Sequence, residues 1–204
     1  ITRKPIRSLE DLKGMRIRGY RVSTDVIEGL GATAVPVAAP EVYTSLERGV
    51  LDGVYGFDYI TAVSYKLHEI APYMTDIGDG PHAPSATIMN LNFWNSMPEN
   101  LQRICDEIVE EIYAGQYRTI MDAANREYVK RALDEGAKFH IWTDEQKQAA
   151  RDIVQPNQTN KWIDRVAKPA RIDGEAMQGL IEAAINKHGS SGNLARPEEI
   201  ALGV

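Results

Sequence analysis

The pattern of apolar and polar positions changes character along the chain, and its first half is typical of alternating short strands and helices. Apolar residues alternate with polar ones over residues 15–20 (MRIRGY), which predicts a strand with Arg16, Arg18 and Tyr20 on one face. Ser23 then marks the start of a helix and Gly31 its end. By the same reasoning we expect strands over residues 32–37, 50–57, 73–76 and 85–90 and helices over 40–49 and 58–68, with Pro36 favouring an edge strand or a bulge.

From Pro98 onward the period lengthens to that of a helix. Apolar residues recur every three or four positions well beyond residue 120, which predicts one helix of about 30 residues or more, about 50 Å long, bent at Gly115 and bridging two bodies. A strand over residues 137–142 follows. Thr143 caps a helix that breaks near Pro156, and further helical stretches complete the chain. We therefore divide the chain into an α/β ligand-binding lobe (residues 1–97) and a largely helical half (residues 98–204) that packs on it.

Composition and charge argue against several classes of function. The net charge is -6, which argues against a nucleic-acid partner because that role usually needs a basic face. The chain has no apolar run long enough for a membrane helix. One cysteine and four scattered histidines predict neither a disulfide framework nor a metal site, and no cofactor motif is present. The chain opens in polar sequence without methionine, which indicates a mature or truncated product.

Arg18 is the leading candidate for ligand binding. It stands near the carboxyl end of the first predicted strand, where open α/β sheets bind their ligands. A guanidinium group can hold a carboxylate through two parallel hydrogen bonds. The hypothesis is that Arg18 binds a small carboxylate, whereas Arg16 and Arg21 are solvated; the alternative is that Arg18 is itself a surface residue.

Other side chains leave two interpretations open. Tyr20, Tyr55, Phe57 and Tyr59 lie at or beside two strand ends, where they either line a slot for an organic acid or close the core. His82 lies in a loop rich in glycine and proline and is a candidate ligand contact. An enzyme, a hydrolase or isomerase, would have to use Asp52, Glu41 or His82, although a turn residue and a first-turn helix residue explain Asp52 and Glu41 as well.

Four blocks of sequence resemble those of the TRAP transporter solute-binding proteins. They cover residues 12–18 (LKGMRIR), 30–37 (LGATAVPV), 41–53 (EVYTSLERGVLDG) and 97–102 (MPENLQ), in that order. The resemblance implies a periplasmic-binding-protein-like (type II) lobe with a long bridging helix. It also implies a periplasmic protein that captures an organic acid without catalysis or a cofactor and delivers it to the membrane permease.

By position, the resemblance implies roles for individual residues. The carboxylate-binding arginine of the family corresponds to Arg18, a ligand-contacting stretch to Tyr55, Gly56 and Phe57, and a pocket-lining position to Ala39. Residues 55–57 differ from the acidic, asparagine or tryptophan residues of better-known members, so the substrates of those members cannot be assigned to this protein. Family members also carry a first lobe before the block at residue 12, and that lobe is absent from this sequence. An enzyme of similar architecture and an extracellular sensor domain remain the alternatives.

Overall fold

The computed structural model describes residues 1–20, 22–78, 87–188 and 200. Helices and strands alternate in the first half and helices dominate the second. The strands are β1 (Arg16–Gly19), β2 (Thr33–Pro36), β3 (Gly53–Val54), β4 (Tyr73–Asp76) and β5 (Lys138–Ile141). The helices are α1 (Val22–Gly29), α2 (Val42–Glu47), α3 (Tyr59–Ser64), α4 (Leu91–Ser96), α5 (Glu99–Glu111), α6 (Tyr117–Asp134), α7 (Asp144–Trp162) and α8 (Gly174–His188). None of these described helices is both long enough and apolar enough to cross a membrane.

The strands form a parallel arrangement in two parts. β1 is the centre of a three-stranded sheet in the order β2-β1-β3, and β4 pairs with β5. Thr2 joins the two parts because it forms antiparallel bridges to both Gly53 and Tyr73. β2 is an edge strand, which confirms the prediction from Pro36, since a proline cannot donate to a further strand. The carboxyl ends of β1, β2 and β3 consequently lie at one edge.

The largest apolar cluster connects the two halves of the chain. Val42, Leu46, Leu51 and Val63 are fully buried, and Ala132 of α6 is buried in the same cluster. β5, which follows α6, adds to the sheet beside β4. The second half therefore contacts the first through this cluster and the sheet, while the division into a lobe and a helical half at residue 97 stays a prediction.

The long helix after Pro98 is divided at the predicted point. α5 and α6 are joined by a short π-helical segment (Ile112–Gln116). Within it, Gly115 has φ 135°, so its backbone dihedral angles are not helical. Glycine alone adopts such a conformation without strain, because a Cβ atom would collide with the backbone. The prediction of a bend at Gly115 is confirmed, but two helices replace the single one.

Three element predictions are wrong, each for a local reason. α7 continues through Pro156. The proline leaves the carbonyl of Asp152 without its helical hydrogen bond, but both residues are exposed, so water can bind that carbonyl instead. β3 covers only Gly53–Val54, since the chain bends at Asp52 and turns again at Gly56. Residues 87–90 of the strand predicted at 85–90 are exposed and have no regular structure. His82 lies outside the described residues.

Candidate functional site

Three strand ends bring most of the predicted site residues to one edge of the sheet. In the register, Arg18 lies opposite Val35 of β2 and Val54 of β3. The backbone N–H of Tyr55 donates to the carbonyl of Arg18 at 3.1 Å. The residues that follow each strand, namely Tyr20, 37–39 and 55–57, are therefore neighbours at the edge where parallel sheets bind ligands.

Arg18 is a buried cation whose hydrogen-bonding capacity is mostly unused. Its side chain projects at this edge and the residue is only 7% exposed. Nε donates to the carbonyl oxygen of Val37 at 3.0 Å. Within the described part of the chain, neither terminal nitrogen has a hydrogen-bond partner and no carboxylate pairs with the guanidinium. Burial lowers the pKa of Arg18 because the charged form loses part of its water, and among the described residues its two terminal nitrogens remain open to an acceptor.

Two aromatic rings flank this guanidinium. Its carbon lies 4.6 Å from the centre of the Phe57 ring and 5.8 Å from that of Tyr20. The Phe57 ring also contacts Tyr65, with centroids 5.9 Å apart, so its position is fixed by packing. Tyr20 is 52% exposed. Because a cation is attracted to the face of a ring, both contacts help to hold Arg18 in place.

A tight turn fixes the position of Tyr20. The hydroxyl of Ser23 accepts a hydrogen bond from the backbone N–H of Tyr20 at 2.6 Å and donates to its carbonyl at 2.8 Å. Ser23 was expected to begin the helix; α1 instead begins at Val22, and the serine serves this turn. The aromatic wall beside Arg18 is therefore built by the connection between β1 and α1.

The other predicted site residues occupy different positions. Ala39 is half-buried and begins a short 3-10 turn after β2. Gly56 is exposed and has φ 85°, a conformation that permits the sharp turn between Tyr55 and Phe57. Tyr55 packs against the small cluster that contains Ile17. Roles for Ala39, Gly56 and Tyr55 in ligand binding stay predictions, as does the role of His82.

Arg16 differs from Arg18 although it belongs to the same strand. It is exposed, as expected, and in addition its Nε and Nη2 each lie 3.0 Å from the carboxylate of Asp52, while its backbone N–H donates to the same group at 2.8 Å. These hydrogen bonds hold the pKa of Asp52 below its ordinary value. Asp52 precedes β3, so this neutralised pair lies at the amino ends of the strands, opposite the candidate site.

One component of the site has no signal in the sequence. The carbonyl of Val37 is the only hydrogen-bond acceptor that the side chain of Arg18 has among the described residues. Every residue has such a carbonyl, and only the pairing of β2 with β1 determines that this one lies beside the guanidinium.

No group of three or more potential metal ligands occurs in the described ranges.

Comparison with known proteins identifies the family. The family model for the bacterial extracellular solute-binding protein, family 7, matches residues 1–163. The monocarboxylate 2-oxoacid-binding periplasmic protein of Nostoc sp. is 29% identical over 155 residues, which cover 74% of this chain and 42% of that protein. The ectoine-binding periplasmic protein TeaA of Halomonas elongata is 27% identical over 183 residues, which cover 88% of this chain and 50% of that protein.

A solved structure supports the same conclusion. The TRAP solute binding protein of an unidentified marine microbe, specific for aromatic acid ligands, has a TM-score of 0.72 and 27% identity, and the match covers 91% of this chain and 59% of that one. The chain thus spans about half the length of these proteins. The resemblance drawn from the four sequence blocks is confirmed, and so is the α/β fold. The chain belongs to the bacterial extracellular solute-binding proteins of family 7, the periplasmic solute-binding proteins of TRAP transporters.

Proposed function

We propose that the protein carrying this chain captures a small organic acid by its carboxylate and delivers it to the membrane permease of a TRAP transporter. The observation that carries the proposal is Arg18, a buried guanidinium with two terminal nitrogens that have no partner among the described residues. A carboxylate is the complementary group, because its two oxygens match the spacing of the guanidinium fork.

The energetics of such a contact are sufficient for capture. Each charge-assisted hydrogen bond contributes about 1.5–3 kcal/mol, and a micromolar dissociation constant corresponds to about -8 kcal/mol. Two such bonds supply a large part of this free energy. Apolar contact with the walls of the site supplies the remainder when the site closes and excludes water.

A surface on α5 supports closure against a second lobe. Leu101, Ile104 and Ile108 follow one face of this helix and are 44%, 43% and 51% exposed. No residue of α5 is buried. An apolar face of this kind is typical of a protein interface. We propose that it packs against the first lobe of the same protein, which places the bridging helix beside both lobes, and that the ligand lies between the lobes.

The residues suggested for catalysis do not support an enzyme. Asp52 is held by Arg16 with three hydrogen bonds, and Glu41 is exposed in a short 3-10 turn. A general base must reach the proton that it removes, and Asp52 lies at the opposite edge of the sheet from Arg18. The matching family is one of binding proteins for transport, so we infer binding without chemical turnover.

A second concave region, between α3 and α6, does not form a catalytic site either. A cavity of about 290 Å³ is lined by residues of α3 and α6 and by the 3-10 turn after α3. In it, Nε2 of the buried His68 is hydrogen-bonded to Glu135 at 2.5 Å. Ser64 lines the same cavity, but the other ring nitrogen of His68 is buried and has no hydrogen-bond partner in the described part of the chain. The serine is therefore not activated by the histidine as a nucleophile would be.

Calorimetry on the full-length protein tests the proposal. Organic acids that raise the melting temperature are titrated into the wild type, Arg18→Lys and the control variant Arg16→Lys. Lysine keeps the charge but lacks the planar fork, so Arg18→Lys should weaken binding at least about tenfold, whereas Arg16→Lys should leave it unchanged. Equal affinity of Arg18→Lys and the wild type would remove Arg18 from the site.

Recovery of a chemically altered acid after long incubation would favour an enzyme. If uptake of the acid into cells is lost when the permease is deleted, the protein is a transport component; a sensor domain would leave uptake of the acid unchanged.

A further inference from the structure

The residues at the three strand ends carry few polar groups besides Arg18. The segments that follow β1, β2 and β3 are Tyr20, residues 37–39 (VAA) and residues 55–57 (YGF). None of these side chains is charged, and none carries an amide or an aliphatic hydroxyl. Among the described residues, these strand ends therefore present one cationic group, Arg18, surrounded by apolar and aromatic surface.

Polar side chains close to these segments are already engaged. The hydroxyl of Ser23 is bonded to both backbone groups of Tyr20. The carboxylate of Asp58 accepts the backbone N–H of Thr61 at 2.6 Å, as the cap of α3. The Ser23 hydroxyl has therefore no further proton to donate to a ligand, and one carboxylate oxygen of Asp58 is occupied by the cap of α3.

Tyr20 is the aromatic residue placed to contact a ligand. The Phe57 ring lies beneath the guanidinium and against Tyr65, and the residue is partly buried against the main core. Tyr20 is within 5.8 Å of the same guanidinium and keeps half of its surface exposed. A group bound at Arg18 would therefore extend across the Tyr20 ring, which contributes apolar contact area without a charge.

We propose that this site selects a monocarboxylate with an apolar body, and that Tyr20 is the side chain on which that body packs. The inference rests on the proposed carboxylate site at Arg18 and adds the chemical class of the ligand. A second carboxylate would lose water without gaining a second cation from the described residues at these strand ends. The hydroxyl groups of a sugar acid would likewise lose water and find few partners among them, and each unpaired group costs about tenfold in affinity.

Calorimetry of the full-length protein with five probes tests the ligand class. The probes are phenylacetate, 4-methylpentanoate, the uncharged phenylacetamide, succinate and galacturonate. We expect phenylacetate or 4-methylpentanoate to bind at least about tenfold more tightly than succinate and galacturonate, and phenylacetamide to show no binding. If succinate or galacturonate binds most tightly and binding depends on Arg18, the ligand class is wrong and the carboxylate site stands. If no acid binds, or if Arg18→Lys has no effect, both proposals are overturned.

Two substitutions of Tyr20 test its role. Tyr20→Ser removes the ring and should weaken phenylacetate binding about tenfold, because the apolar contact is lost. Tyr20→Phe keeps the ring and should stay within about twofold of the wild type. Both variants should fold, since Tyr20 is half exposed. Equal affinity of Tyr20→Ser and the wild type, with an unchanged melting temperature, would remove Tyr20 from the contact surface.

Discussion

Replacement of Arg18 by methionine should stabilise the ligand-free protein, which is unusual for the removal of a buried side chain. The residue is 7% exposed and no carboxylate among the described residues neutralises it. Its pKa is lowered by burial. The hydrogen bond and ring contacts therefore do not offset the loss of water around the charge.

The magnitude follows from the contacts of the side chain. Loss of the donor to the carbonyl of Val37 costs about 1–3 kcal/mol, and loss of the contacts with Phe57 and Tyr20 costs about 0.5–2 kcal/mol. Removal of the partly desolvated charge outweighs these losses by a small margin, and methionine fills the space with an apolar chain of similar length. We expect the free energy of unfolding to rise by about 1 kcal/mol.

Urea denaturation of the ligand-free full-length protein measures this change. Arg16→Met is the matched control from the same strand, and it should lower the free energy of unfolding by up to about 1 kcal/mol because it breaks the exposed pair with Asp52. Destabilisation of Arg18→Met by more than about 1 kcal/mol would show that internal contacts stabilise the guanidinium. Arg18 would then be a structural residue instead of an open site for an anion.

Three further substitutions test the fold. Asp52→Asn should destabilise the protein at neutral pH, because a carboxylate whose pKa is lowered in the folded state stabilises the fold at pH values above its ordinary pKa of 3.8. When unfolding is measured at a series of pH values, the difference in free energy of unfolding from the wild type should vanish as the pH falls through the lowered pKa. Trp142→Phe should lower the free energy of unfolding by about 1–3 kcal/mol, since the ring is 1% exposed and its N–H donates to the buried carbonyl of Ile6 at 3.2 Å. Gly115→Ala should cost about 1–3 kcal/mol in the same assay through backbone strain, whereas Gly179→Ala, in open space within α8, should be neutral or stabilising.

The sequence was sufficient to predict the sheet edge at which the candidate site lies. The alternation over residues 15–20 identified β1 and placed Arg18 near its carboxyl end. The proline in β2 indicated an edge strand, and the glycine at position 115 indicated the bend after α5. These predictions succeeded because each depends on a local restriction of the backbone or on the two-residue period of a strand.

Features that depend on pairing between distant segments could not be predicted in this way. Arg16 and Arg18 look equivalent in the sequence, but Asp52 neutralises only Arg16, since the register of β1 with β3 places them together. The carbonyl of Val37 beside Arg18 depends in the same way on the register with β2. The continuation of α7 through Pro156 has a different, local cause, because that face of the helix is exposed to water and the unpaired carbonyl is solvated.

A crystal structure of the full-length protein with its bound acid would test the carboxylate site most directly. We expect both carboxylate oxygens to lie about 2.7–2.9 Å from nitrogens of Arg18, with the body of the ligand against Tyr20 and the α5 face covered by the first lobe. A ligand whose carboxylate is held elsewhere, with Arg18 facing bulk water or paired to a carboxylate of the protein, would contradict the proposed function.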